Sequence, residues 1–365
     1  MNIMEIVSGA DINGAVVHCL LLTRELARRG HRMTLVCRPG AWIATQLRGA
    51  PVEIIESDLR RWPPGELRRI AAIARAQGID ILHTHMSRAH FFGILLRWLS
   101  GVPSVATAHN RYIQLHWMFN DRVIAVSEAT GRFHRTHNFV RRARLDVIHN
   151  FVDYHRFCDV SAEKRGVMRA AFNVPAACLL IGSIGDVIPA KGLIHVVRAL
   201  PKIRSTIAAA QLLVVGGGPA AYRAHVEREA RQLGVGSMIT WAGRRTDIAD
   251  IMAGLDVFVL PSLEENFPLV TAEAMAAGLP VVATAVGGLP ECVSADESGL
   301  LVPPADGEAL ADALIRLLRD APLRRQLGDA ARRRVRERFS LETQVPRIEA
   351  ALAQAAKSRP LAVHG

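Results

Sequence analysis

Two carboxylates frame a candidate anion site. The stretch LEENFPLVTAEAMAAGLPVVAT, residues 263–284, places Glu264 and Glu265 before an apolar Phe-Pro-Leu-Val run and Glu273 after it. Pro268 suits the first turn of a helix, where its missing N–H costs nothing. The pattern reads as a loop acid, a helix start at Leu269 and Val270, and a second acid two turns along. A helix start offers free amide groups and the positive end of a dipole, which suit a phosphate. Carboxylates before and along such a helix can accept hydrogen bonds from hydroxyls on either side of it. A merely solvated acidic helix start is the commoner arrangement, so the pattern needs support from elsewhere in the chain.

Lys191 is one of only four lysines, and it follows the strand-like LLIGSI in the loop GDVIPAKG. A lysine at a strand end is a candidate phosphate partner, although a plain surface lysine fits the same fact. Gly14 lies between a first strand and a helix, where a backbone can approach an anion closely. Of the fourteen histidines, His109 directly follows the strand-like SVATA, while His83 reads as structural. Gly216 and Gly218 half-match a dinucleotide fingerprint. The acid expected downstream is missing and the first loop lacks the pattern, which disfavours an oxidoreductase. With no Asp-x-Asp, no His-Glu-x-x-His and no metal-spaced Cys/His cluster, no catalytic metal is expected. Asp306 reads as a helix start.

The elements that must position these residues alternate along the chain. IMEIVS, RMTLVC, VEIIE, DILHTH, SVATAH, RVIAVS and LDVIHN read as strands, with helical patterns between several of them. The rhythm restarts with LLIGSIG, QLLVVGGG, MITWAG, LDVFVLPS, PVVATA and GLLVPP. Strands alternating with helices imply parallel sheets. The chain is therefore read as α/β, with two doubly wound domains and ligand at the strand ends in a cleft. The expected domains are 1–157 with a returning helix in 341–365, and 158–340. The segment 153–166 is the junction, and Pro346 predicts a kink or a late start in the final helix.

The 365 residues are 50% hydrophobic, ample for two cores. Five scattered cysteines with no C-x-x-C pair suggest reduced thiols in a cytoplasmic protein. The opening MNIMEIVSG reads as a strand rather than a signal peptide, and the longest apolar stretch is too interrupted to cross a membrane. Residues 1–150 hold 20 arginines, no lysine and 11 acids, so most of the net charge of +11 lies there. Residues 59–77 combine Arg60, Arg61, Arg68 and Arg69 with Trp62 and an apolar face, and residues 131–144 hold five arginines and no acid. Such stretches can lie on an anionic membrane, although a solvated face fits equally. No nucleic-acid motif accompanies the charge.

Taken together, these features resemble retaining glycosyltransferases of the GT-B fold, family 4, of the kind that build bacterial lipopolysaccharide and cell-surface glycans. The spacing of Glu265 and Glu273 matches the family's E-x7-E motif. AVSEAT, VIHNFVD, VVGGGP and RFSLE are similar to other family landmarks, and the set stands in family order along the chain. The resemblance implies two Rossmann-like domains, the second binding a nucleotide sugar, with UDP as the base carrier. It implies that Glu273 holds ribose hydroxyls, that Glu265 holds the transferred sugar, and that Leu269 and Val270 hold the diphosphate. Lys191 matches the diphosphate lysine, His109 a histidine lining the sugar site, and Gly14 the second glycine of a first-loop pair. Arg244 sits where the family's backbone contacts the base. It further implies a metal-free reaction with retention, a lipid-linked or oligosaccharide acceptor, and a place at the inner face of the cytoplasmic membrane. One departure stands out: the family's arginine five residues before the lysine is Asp186 here. That leaves open a catalytically impaired sugar-nucleotide-binding partner, with an epimerase of similar fold as a further alternative.

Overall fold

The computed structural model describes residues 1–59 and 64–357. The chain forms two compact units, Met1–Phe151 joined by the chain from Leu341, and Val152–Ser340. The division falls earlier than 157/158 for a local reason. Helix Tyr154–Cys158 packs against helix Leu269–Ala276, and Val152 bridges to Ser340, all inside the second unit.

In the first unit, all seven expected strands form one parallel sheet. They are β1 Asn2–Val7, β2 Arg32–Cys37, β3 Val52–Glu56, β4 Ile81–His85, β5 Ser104–Ala108, β6 Arg122–Ala125 and β7 Leu145–Val147. Their order is β3-β2-β1-β4-β5-β6-β7. Helices cover both faces, so the central strands are apolar on both sides. Met4, Ile6 and Leu82 pack with Leu67, Ile70 and Phe92, while Ile3, Ile81 and Val105 pack with Leu22, Leu26 and Leu352. The latter side is closed by helix Leu341–Lys357, through Val345, Ile348 and Leu352. This helix runs through Pro346 with no late start.

The second unit repeats the plan with β8 Leu179–Ile184, β9 Ala210–Val215, β10 Ile239–Gly243, β11 Val257–Leu260, β12 Val281–Thr284 and β13 Gly299–Val302. Their order is β10-β9-β8-β11-β12-β13, again parallel. The strand order reverses between β1 and β4 in one sheet and between β8 and β11 in the other. Loops leaving the carboxyl ends of these strands are where doubly wound sheets bind ligands.

One expectation needs correction. The apolar face of helix Pro64–Ala76 does not lie open to a membrane: Leu67, Ile70, Ala71 and Ala74 are buried in the core, and Arg69 pairs with Glu66. Arg60, Arg61 and Trp62 lie outside the described residues. Among the described residues, no helix is long and apolar enough to cross a membrane.

Candidate functional site

The loops leaving β8 and β11 bring together Lys191 and Glu265, which are 74 residues apart in sequence. Lys191 Nζ lies 2.5 Å from Glu265 Oε1, and the Ser262 hydroxyl donates to the same oxygen at 2.8 Å. Glu265 is only 7% exposed, so its charge depends on these two partners. Glycines allow the approach. Gly287 has φ 55°, and a Cβ there would lie 1.6 Å from the Glu265 carbonyl oxygen. A Cβ on Gly192, φ 66°, would meet the Pro261 carbonyl at 2.0 Å.

Helix Leu269–Ala276 starts three residues after Asn266, with Pro268 as its N-cap. Pro268 has no side chain to cap the helix. Among the described residues, the amides of Leu269 and Val270 have no hydrogen-bond acceptor, so an anion can take both. Glu273 lies one turn along this helix, not two. Burial pushes its carboxyl up to about 7, with Arg156 pulling the other way.

Glycines 216 and 218 do not form a dinucleotide cradle. Cβ atoms on them would lie 1.8 Å from the Gly185 carbonyl and 2.1 Å from the Val187 carbonyl. They are small so that the loop after β9 can pack on the loop after β8. Arg244, just beyond β10, lies across Gly217 and brings its Nη2 to 3.5 Å from Asp186. A guanidinium from another strand thus stands beside the acid that replaces the family's arginine. Asp186→Asn should free Arg244 and tighten UDP binding, and Arg244→Gln should weaken it, each by up to about fivefold, as suits an exposed pair. Calorimetry with UDP checks this, and two unchanged affinities would remove Arg244 from the site.

In the first unit, His109 follows β5 with its Nε2 3.1 Å from His85 Nδ1. His85 Nε2 reaches Glu5 Oε2 at 2.8 Å, and His83 Nδ1 reaches Glu5 Oε1 at 3.0 Å. His83 also meets the Thr107 hydroxyl, so it is structural as expected. Burial alone would raise the Glu5 carboxyl, but His83 and His85 hold it at about 2. Burial, then the neighbouring histidines, keeps both His18 and His109 well below the usual imidazole range. With Nε2 engaged by His85, neutral His109 has its Nδ1 left to make one hydrogen bond, which a sugar hydroxyl can meet. Both ring nitrogens of buried His18 lack partners. Nitrogens of His18, His85 and His109 lie within 4.8 Å of one another, as do donor atoms of Glu5, Cys19 and His85, so these are the groups that could hold a metal.

Sequence reading missed this cluster because it joins four elements: β1, helix Gly14–Arg28, β4 and the end of β5. Two signals were present: Glu5 is an acid inside an apolar strand, and His83 and His85 share one face at period two. Gly14 begins helix Gly14–Arg28 as expected. However, Asn13 Oδ1 already accepts from the Ala15 and Val16 amides, so an anion there must displace it.

Residues 12–156 match the model for Glycosyltransferase Family 4, and residues 177–320 match that for Glycosyl transferases group 1. A D-inositol 3-phosphate glycosyltransferase of Mycobacterium tuberculosis is 30% identical over 85% of this chain and 72% of its own. The chain belongs to glycosyltransferase family 4. An N-acetyl-alpha-D-glucosaminyl L-malate synthase of Bacillus anthracis is 26% identical over 93% of both chains. A glycosyltransferase of Rickettsia africae superposes with TM-score 0.87 at 20% identity, covering 98% of this chain and 100% of that one. HepE of Anabaena, solved with UDP and glucose, gives 0.86 at 21%, covering 97% and 100%. These likenesses establish the GT-B fold of the family 4 chain.

Proposed function

We propose that this glycosyltransferase moves a sugar from a UDP-sugar to a lipid-linked or glycan acceptor, with retention and without a metal at the diphosphate. The observation that carries the reading is the Lys191–Glu265 pair at the sheet's reversal point, beside the uncapped helix start at Leu269 and Val270. HepE structures with UDP and with UDP-glucose support the donor class.

The second unit's residues divide the donor between them. Glu273 accepts from the ribose hydroxyls. Leu269, Val270 and Lys191 hold the diphosphate, with Arg244 nearby, and Glu265 orients the sugar. As the anomeric C–O bond breaks, its electron pair moves to the diphosphate, where Lys191 and the amides stabilise it. The acceptor oxygen attacks the same face of the sugar, and its proton passes to the leaving phosphate oxygen. The five cysteines carry no disulfide, which supports a cytoplasmic setting, with peripheral docking at the inner face of the membrane.

The test is turnover with a panel of UDP-sugars, read as UDP release with and without EDTA. Activity should survive the chelator. Loss restored by magnesium or manganese overturns the metal-free clamp, and restoration by zinc alone points to His18, His85 and His109. No turnover with any donor, despite UDP binding, favours the impaired binding partner.

A further inference from the structure

Helix Ser87–Ser100 and the short turn Leu115–Phe119 frame a cavity of about 920 Å³ in the first unit. Its wall is apolar: Phe91, Ile94, Trp98, Leu115 and Phe119. Trp98 is 57% exposed, Leu115 60% and neighbouring Ile113 66%. Seven of the thirteen large apolar side chains exposed among the described residues fall between Trp98 and Phe119. Solitary exposed apolar residues need no explanation, but a concentration around a cavity marks a binding surface.

Three polar side chains of the same pocket have groups without partners among the described residues. Arg88 makes no ion pair or hydrogen bond among the described residues. Gln114 Oε1 and His116 Nε2 are buried without a partner, a costly state unless something supplies the bond. Burial brings His116 down to about 4, so its ring is neutral and Arg88 is the cation among the lining residues. The pocket thus has a long apolar wall, one cation, and neutral hydrogen-bonding groups.

The surroundings indicate where the ligand comes from. The basic segment 131–144 is tied to this patch. Asn138 accepts from the Gln114 amide at 2.7 Å and donates to the Tyr112 carbonyl at 2.9 Å. Arg132, Arg135, Arg141, Arg142 and Arg144 are exposed, as is Phe139. Cations beside exposed aromatic and aliphatic groups complement an anionic bilayer surface. An apolar wall beside one unpaired cation fits an amphiphile with an anionic head.

We infer that this pocket holds the hydrocarbon chain of a phosphate-linked lipid acceptor taken from an anionic bilayer, with Arg88 on the phosphate. The inference rests on the proposed transfer to a lipid-linked or glycan acceptor, and it narrows that acceptor to an amphiphile held by the first unit.

The experiment uses the full chain. Wild type should float with vesicles containing phosphatidylglycerol and bind dodecyl phosphate. Trp98→Glu combined with Leu115→Glu alters only exposed side chains, and should weaken both by about tenfold or more. Arg88→Gln should weaken dodecyl phosphate but not dodecyl maltoside. The thermal shift given by UDP should persist in every variant. That readout separates this inference from the donor reading, because a missing UDP shift in wild type counts against the donor site alone. Wild type that binds neither vesicles nor dodecyl phosphate overturns the inference. So do variants that bind like wild type, or a dimer that dissociates in the Trp98/Leu115 variant with lipid binding unchanged. An equal effect of Arg88→Gln on both detergents overturns the phosphate assignment.

Discussion

Lys191→Ala should lower turnover about a hundredfold or more, the usual effect of removing one donor aimed at developing negative charge. The ammonium lies 2.5 Å from Glu265 and stays partly exposed, so it can reach a ligand phosphate without losing its carboxylate. Lys191→Arg should retain more activity than Lys191→Ala, because the charge remains although its geometry changes. Stability complicates the simple variant. Removing Lys191 leaves Glu265 buried with Ser262 as its partner, and an uncompensated buried charge is strongly destabilising. Adding Glu265→Gln should restore the melting temperature but not turnover. The kcat with a UDP-sugar, measured beside Tm for wild type and all three variants, separates the effects. If Lys191→Ala keeps wild-type kcat, the lysine does not touch the leaving phosphate.

The fold was legible because parallel strands buried on both faces read as short apolar runs, and all thirteen runs became strands. The proposed donor site was legible where its chemistry is local. The helix start at Leu269 and Val270 follows from one proline and its neighbours, and Glu273 was misplaced only by a turn. Contacts between distant segments were not legible. Nothing near Asp186 announces Arg244, because strand order rather than chain order makes them neighbours. The glycines at 216 and 218 carried the opposite difficulty. Their pattern was visible, but its cause is a loop packed against them rather than a pyrophosphate. Helix Pro64–Ala76 shows how charge misleads: its arginines suggested a free amphipathic surface, while its apolar side belongs to the core. The exposed apolar patch begins further along the chain, at Trp98. Its basic partner at 131–144 joins it through Asn138, a contact that composition does not encode.

Donor affinity should rise with pH through about 7, and Glu273 should be the cause. A carboxylate can accept from two ribose hydroxyls at once, whereas a protonated carboxyl gives up one acceptor to its own proton. Burial holds the free protein's Glu273 near 7, so below that pH binding UDP must first remove a proton. Affinity should then fall about tenfold per pH unit, because one proton is released per ligand bound. Stability of the unliganded protein should run the other way. The folded pKa lies above the unfolded value of 4.5, so the native state binds more protons between these values. This group's contribution is fully present below 4.5 and is lost as pH rises through 7, by about 3 kcal/mol at the linkage conversion. Glu273→Gln removes the titration. It should flatten both profiles, raise stability above pH 7, and weaken UDP binding there by about ten- to a hundredfold, the effect of lost hydrogen bonds to a charged group. Calorimetry in buffers of different ionisation enthalpy reads the released proton directly. A UDP affinity that is flat from acid to neutral pH in the wild-type protein would show that the ribose does not meet an ionised Glu273.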